Sequence, residues 1–381
     1  GGDDTLAGGD GDDQMLGGAG NDTLSGGRGN DTLDGGAGTD TADYSASASA
    51  VTAYLDGTTG IGGEADGDTL ANIEILRGST YADTLVGSTG ADTLIGDLGD
   101  DVLIGGAGAD TIQGGIGVDT ADYSGSGSAV TVNLATGTGS AGDAAGDTLS
   151  SIETVIGSAF ADTLTGSSNG DTLSGGAGND VIDGGLGNDT LLGGANDDTL
   201  VGGTGSDILD GGSGIDTADY TASTAAVTVY ANGIDTGAGG SATGDILYNI
   251  ERVLGSAFGD TIQGSTGADT LMGQDGNDVL EGLAGADVLD GGNGTDTASY
   301  EHATSAVAVS LATGTGTLGD ANGDTLTSIE RLLGSDYDDT LAGGTGAETL
   351  DGGAGDDLLV GSAGANPLTG GVGLDAADYF G

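Results

Sequence analysis

Apolar residues recur singly and at a fixed interval along most of this chain. In Thr23-Leu24-Ser25 and again in Thr32-Leu33-Asp34 a leucine stands between polar neighbours, nine residues after the one before. This alternation predicts short strands with leucine facing inward and threonine outward. The residues between strands are turn-formers: Gly17-Gly18-Ala19-Gly20-Asn21-Asp22 precedes Thr23, and Gly26-Gly27-Arg28-Gly29-Asn30-Asp31 precedes Thr32. Glycines at the first, second and fourth positions permit positive φ and close backbone approach in a tight turn. A core one leucine deep cannot be buried by a single repeat, so the strands must stack into a solenoid. Travelling out and back takes two turns, which predicts about 18 residues per coil and about 4.8 Å between coils. The whole chain would then make a rod of roughly 100 Å.

The sixth residue of each nonapeptide is nearly always Asp. The phase runs through Asp4, Asp13, Asp22, Asp31 and Asp40, returns from Asp83 to Asp119, and again from Asp162 to Asp216. Two further blocks run from Asp260 to Asp296 and from Asp339 to Asp375, the last with Glu348 and Asn366 in place of Asp. Such turns direct carbonyls and a carboxylate inward and offer only oxygen, which suits calcium, a hard cation taking six to eight oxygen ligands.

A longer period lies over the short one. Asp40-Thr41-Ala42-Asp43-Tyr44 recurs at Asp119–Tyr123, Asp216–Tyr220, Asp296–Tyr300 and Asp375–Tyr379, at spacings of 79, 97, 80 and 79 residues. The long spacing exceeds 79 by 18, one coil of two nonapeptides. Each unit carries a segment without glycine turns: an alternating stretch such as Ala129 to Leu134, read as a strand, then Gly146-Asp147-Thr148-Leu149-Ser150-Ser151-Ile152-Glu153. Glu74, Glu153, Glu251 and Glu330 each stand nine residues before the next phased Asp, so the frame restarts at the Glu. The interruptions are expected to be wider coils of one continuous solenoid over 1–381. It divides into a partial unit 1–39, units 40–118, 119–215, 216–295 and 296–374, and the start of another at 375–381. Opening mid-repeat and closing just after a new unit begins, the chain looks like a segment of a longer array.

Charge narrows the partners. The net charge is −57, with 61 acidic residues, four arginines and no lysine. Nucleic acid needs a basic face, and adhesion to an anionic membrane is disfavoured for the same reason. So many carboxylates in adjacent coils would repel without counter-charge, and a merely solvating surface would not require a nine-residue phase. There is no cysteine, so calcium would have to supply the stapling a disulfide gives elsewhere. No apolar run reaches the length of a membrane helix. Five aromatics are the Tyr of the recurring motif, and Tyr81, Phe160, Phe258 and Tyr337 follow the Gly-Ser turns; packing at the coil junction is the reading for both sets.

The catalytic inventory is nearly empty. His302 is the only histidine, and zinc or triad chemistry needs partners it lacks. The expectation is no enzyme activity, no catalytic residue and no organic cofactor.

The nonapeptides Gly-Gly-x-Gly-x-Asp-x-(apolar)-x resemble those of the RTX, or haemolysin-type calcium-binding, family. The interruption with Ile-Glu-x-x-x-Gly-Ser followed by Asp-Thr-Leu is similar to the stretch leading into the β-roll of serralysin-type secreted proteases. The resemblance covers essentially the whole chain. It implies an all-β, right-handed parallel β-roll, export by type I secretion, and folding on external calcium. It also implies that each ion sits between a turn and the turn two repeats later on the same edge. The ligands it implies are Asp13, Asp22, Asp31, Asp40, Asp92, Asp101, Asp110, Asp119, Asp171, Asp180, Asp189, Asp198, Asp207, Asp216, Asp269, Asp278, Asp287, Asp296, Asp357 and Asp375, for roughly 15 calcium ions. The turns at Gly78, Gly157, Gly255 and Gly334 have lost two glycines, so Asp83, Asp162, Asp260 and Asp339 are expected to be poor or half sites. Asn196 replaces a glycine before Asp198, and the last block should bind calcium less well. The function expected is an extracellular structural solenoid at a bacterial cell surface, such as a stalk, adhesin or surface-layer segment. The alternative is the C-terminal export and folding module of a secreted protease, lipase or epimerase.

Overall fold

The computed structural model describes residues 1–362 and 366–379; positions 363–365 and 380–381, in the segments 296–374 and 375–381 of the division above, lie outside the described residues. Strands begin at the seventh residue of each nonapeptide, as in Thr84–Val86 and Val102–Ile104. Several run to six residues rather than three, among them Thr23–Arg28 and Thr93–Leu98. In these the glycines after the strand stay in the ladder, Gly9 opposite Gly27 and Gly18 opposite Gly36.

Pairing is parallel with an offset of 18 residues: Leu6 opposite Leu24, Met15 opposite Leu33, Leu94 opposite Ile112. The fold is an all-β parallel β-roll with the coil length expected. Two sheets face each other across one column of side chains, and Leu24, Leu33, Leu85, Leu94, Leu103 and Ile112 are wholly buried in it. Each contributes roughly 2 kcal/mol of burial, little enough per coil that the ends of the turns must also be held.

Contacts divide the chain into two units, Gly1–Gly184 with Leu192–Ala195, and Gly185–Leu191 with Asn196–Gly381. In the first, the interruption after Thr41–Asp43 widens one sheet only. Thr41–Asp43 pairs directly with Ile75–Arg77 on one side of the core. On the other side Thr32 pairs with Thr69, Thr52 bridges Ile61 antiparallel, and Thr52–Tyr54 pairs with Thr84–Val86. The second interruption does the same in the opposite sheet. There Thr120–Asp122 pairs directly with Thr154–Ile156, while Thr131–Asn133 and Thr148–Ser150 enclose the antiparallel strand Thr138–Ala141. The second unit repeats this: the third interruption widens the sheet of Ile208–Ser213, and the fourth that of Val288–Asp290. The expected wider coils are thus single-sheet excursions that reverse direction. The frame does restart at the Glu, since Thr41 is in register with Ile75 and Thr120 with Thr154.

The recurring tyrosines Tyr44, Tyr123, Tyr220 and Tyr300 are buried at these seams, as expected, whereas the fifth of the set, Tyr379, is exposed. The second aromatic set differs: Tyr81, Phe160, Phe258 and Tyr337 are 45–47% exposed. Each occupies the fourth turn position, which faces solvent.

Candidate calcium sites

The Asp column forms a ladder along each edge of the roll. One oxygen of each carboxylate accepts the backbone N–H of the residue one coil earlier: Asp4 N–H to Asp22 Oδ1 at 2.8 Å, Asp13 to Asp31 at 2.8 Å, Asp22 to Asp40 at 2.7 Å. The same link joins Asp101 to Asp119, Asp189 to Asp207, Asp198 to Asp216 and Asp278 to Asp296. Asp180 Oδ1 takes the N–H of Asp162 at 2.7 Å.

The other oxygen is different. In Asp13, Asp22, Asp31, Asp40, Asp101, Asp110, Asp119, Asp207, Asp216, Asp278, Asp287, Asp296 and Asp357, Oδ2 is buried and has no hydrogen-bond partner. A buried carboxylate oxygen left without a donor is costly and calls for an ion. A carbonyl faces the same place. A β-carbon added to Gly8 would lie 2.6 Å from Asp13 Oδ2 and 2.6 Å from the carbonyl oxygen of Gly26, one coil on. Equivalent cradles lie at Gly17, between Asp22 and the Gly35 carbonyl, and at Gly96, between Asp101 and the Gly114 carbonyl. Among the described residues no three acidic or histidine side chains converge on one point. The donors are carboxylate and backbone oxygen from two turns of one edge, a set that fits a hard cation.

Burial and like charge raise these carboxyls. Burial, then the neighbouring Asp83 and Asp119, pushes Asp101 up to about 7. Burial, with Asp147 and Asp92, pushes Asp110 up to about 7, and Asp278 and Asp287 follow at about 6 and about 7. The column therefore resists holding its full negative charge unless a cation shares it.

The second residue of the turn decides which kind of site forms. It has positive φ where Oδ2 is left open, as at Gly18 (φ 104°), Gly27 (φ 92°) and Gly36 (φ 102°). Asp97, Gln274 and Leu283 adopt the same left-handed conformation, and Asp101, Asp278 and Asp287 after them are open too. Serine at this position instead turns its N–H onto the carboxylate. Ser79 donates its N–H to Asp83 Oδ2 and its hydroxyl to Oδ1, which also accepts the Val51 N–H. Asp162, Asp260 and Asp339 are capped in the same way by Ser158, Ser256 and Ser335. These four were expected to be poor sites.

Three of the expected ligands also follow a serine in their turns. Asp92, Asp171 and Asp269 follow Ser88, Ser167 and Ser265, whose N–H groups occupy an oxygen of each at 2.6, 2.5 and 2.6 Å. Asp375 is exposed, with Oδ1 3.2 Å from the Asp357 N–H. In the last block Asn366 Oδ1 accepts the Glu348 N–H, and Glu348 folds back onto the Gly346 N–H, so a neutral amide replaces one carboxylate. Asn196 holds the left-handed turn with φ 80° in place of glycine.

Two sets of acids complete the ladder at the interruptions. Glu74, Glu153, Glu251 and Glu330 accept the N–H of Asp40, Asp119, Asp216 and Asp296 at 2.9–3.0 Å, each standing where an Asp would. The second set, Asp68, Asp147, Asp245 and Asp324, escaped the sequence reading. They accept the N–H of Asp31, Asp110, Asp207 and Asp287. The recurring Gly-Asp-Thr-Leu was the available signal, because it restores the order Asp, polar, apolar of the nonapeptide. His302 is exposed and pairs through Nδ1 with the buried Glu281 at 2.9 Å, and Gln263 also donates to that Glu.

Gly96→Ala tests the cradle. Gly96 is not in the left-handed region, so alanine suits its backbone, but the methyl would occupy the space between Asp101 and the Gly114 carbonyl. The variant is expected to bind fewer ions at saturation by calcium titration.

Open carboxylate oxygens beside backbone carbonyls, repeated coil after coil, define a calcium-binding β-roll. The model of the RTX calcium-binding nonapeptide repeat matches residues 1–45, 68–124, 156–218, 254–298 and 333–368 in overlapping segments, well over half of the sequence. The chain belongs to this family. No curated protein matches it.

Proposed function

We infer that this chain is an extracellular structural segment, a stalk, adhesin or surface-layer component at a bacterial cell surface, that folds on calcium after type I secretion. The observation that carries the reading is the column of open, buried carboxylates: it is incomplete without a cation and recurs in every block, reduced to Asp357 in the last. Catalysis is not part of the function proposed. The departures from the repeat are themselves repeated at each interruption, whereas a catalytic site would break the pattern with unique residues. His302 and Glu281 do break it, as a single hydrogen-bonded pair. No helix among the described residues is long and apolar enough to cross a membrane. Calcium is the partner, and roughly 15 ions would lower the net charge to about −27.

Calcium titration of the full chain, with circular dichroism followed in parallel, tests this. Binding of roughly 15 ions coupled to gain of β structure is expected; one or two ions would overturn it. Paired variants locate the sites. Asp110→Asn keeps the acceptor for the Asp92 N–H but removes the charge, and should lower the number of ions bound at saturation. Asp83→Asn, at a carboxylate already capped by Ser79, should leave that number unchanged. Equal losses would mean that open oxygens do not mark the sites.

A further inference from the structure

We propose that the four interruptions are calcium-independent clasps, coils whose carboxylates are satisfied by protein donors and which stay folded when calcium leaves. This rests on the reading that the open carboxylates elsewhere take calcium.

The contrast lies in single oxygens. Asp22 uses one oxygen for the Asp4 N–H and leaves the other open. Asp68 uses one for the Asp31 N–H at 2.8 Å, and the other accepts the Tyr44 hydroxyl at 3.1 Å. Tyr123 serves Asp147 at 2.9 Å, Tyr220 serves Asp245 at 3.1 Å, and Tyr300 serves Asp324 at 2.9 Å. The hydroxyl therefore stands at the carboxylate oxygen that is open in the calcium blocks. Burial, reinforced by the adjacent Asp147, raises the Tyr123 hydroxyl far above its ordinary range, so its proton stays in place to be donated.

The next turn of each seam is closed as well. Asp83 takes the Ser79 N–H, the Ser79 hydroxyl and the Val51 N–H, and Asp162 takes the same three donors from Ser158 and Val130. Ser47 ties the excursion back by accepting the Glu64 N–H at 3.2 Å. The seams also hold more apolar bulk than a calcium coil: Tyr44, Val51, Leu70, Ile73 and Leu76 are all buried at the first. Local stability follows buried apolar contacts and satisfied polar groups. By both measures the seams keep their supports without an ion, while the glycine blocks lose theirs.

Hydrogen exchange of the full chain, in chelator and in calcium, is the test. In chelator, peptides from 41–55, 65–78 and the matching stretches of the other seams should exchange at least about tenfold more slowly than unfolded chain. Peptides from 93–116 should exchange freely and become protected when calcium is added. Free exchange everywhere in chelator, with protection restored by calcium, would overturn the clasp and leave the calcium reading standing. Protection of 93–116 in chelator would overturn the calcium reading itself. Tyr123→Phe should cost protection at the second seam in chelator without changing the number of ions bound in excess calcium; a changed ion number would overturn the assignment.

Discussion

Stripping calcium from this protein is expected to abolish most of its β-sheet circular dichroism, and restoring millimolar calcium to bring it back. Each glycine coil buries little more than two apolar side chains, Leu94 with Leu103 for example. Against this stands the conformational entropy of ordering an 18-residue coil, with glycine the most costly residue to order. The ledges that would hold the turns together are carboxylates one coil apart, which repel. Ion binding supplies the missing attraction, so its free energy becomes folding free energy. The residual signal in chelator should come from the seams. A full β spectrum in chelator would refute the calcium dependence of the blocks.

Acid should act in opposite directions with and without calcium. In the ion-free chain, burial pushes Asp101, Asp110 and Asp287 up to about 7, and Asp180 and Asp278 up to about 6. An unfolded Asp titrates near about 3.9. Folding thus favours the protonated form, and this contribution is complete below the unfolded value and fades as pH rises through about 6 to 7. In chelator, β structure should be greater at pH 5 than at pH 8. In calcium the ligands must be deprotonated, so acidification should release ions and raise the calcium needed for folding. Circular dichroism against pH in both media decides this; parallel curves would show that the buried carboxylates do not control stability.

Much of this was legible in the sequence because the period is short and strict. Leu24, Leu33 and Leu94 gave the core, Asp22 and Asp31 the column, and the 18-residue excess before Asp216 the coil. What sequence reading resolved poorly was the direction of one peptide. Asp83 stands out in the sequence by its missing glycines, while Asp92 and Asp269 do not, although a serine occupies the same second position in their turns. The deciding position is the second, where serine caps and glycine opens. The Tyr44–Asp68 pair was hidden because its members are 24 residues apart and Asp68 stands outside the nine-residue phase. The reversal at Thr138–Ala141 was hidden because four residues are too few to show a pattern.

The widened seams imply a rule for how such an array can change length. Within the first unit one seam broadens one sheet and the next broadens the other, so the two sheets stay matched in strand number. They alternate because an odd number of nonapeptides separates them, and each nonapeptide carries the chain across to the opposite sheet. Adding two nonapeptides preserves that parity, and so does copying a whole unit. Removing one between Asp83 and Asp119 would put both broad seams in the same sheet and leave its partner short. Gain and loss of sequence here is therefore tolerated in even steps, and the stretch that makes the second spacing 97 rather than 79 is such a step.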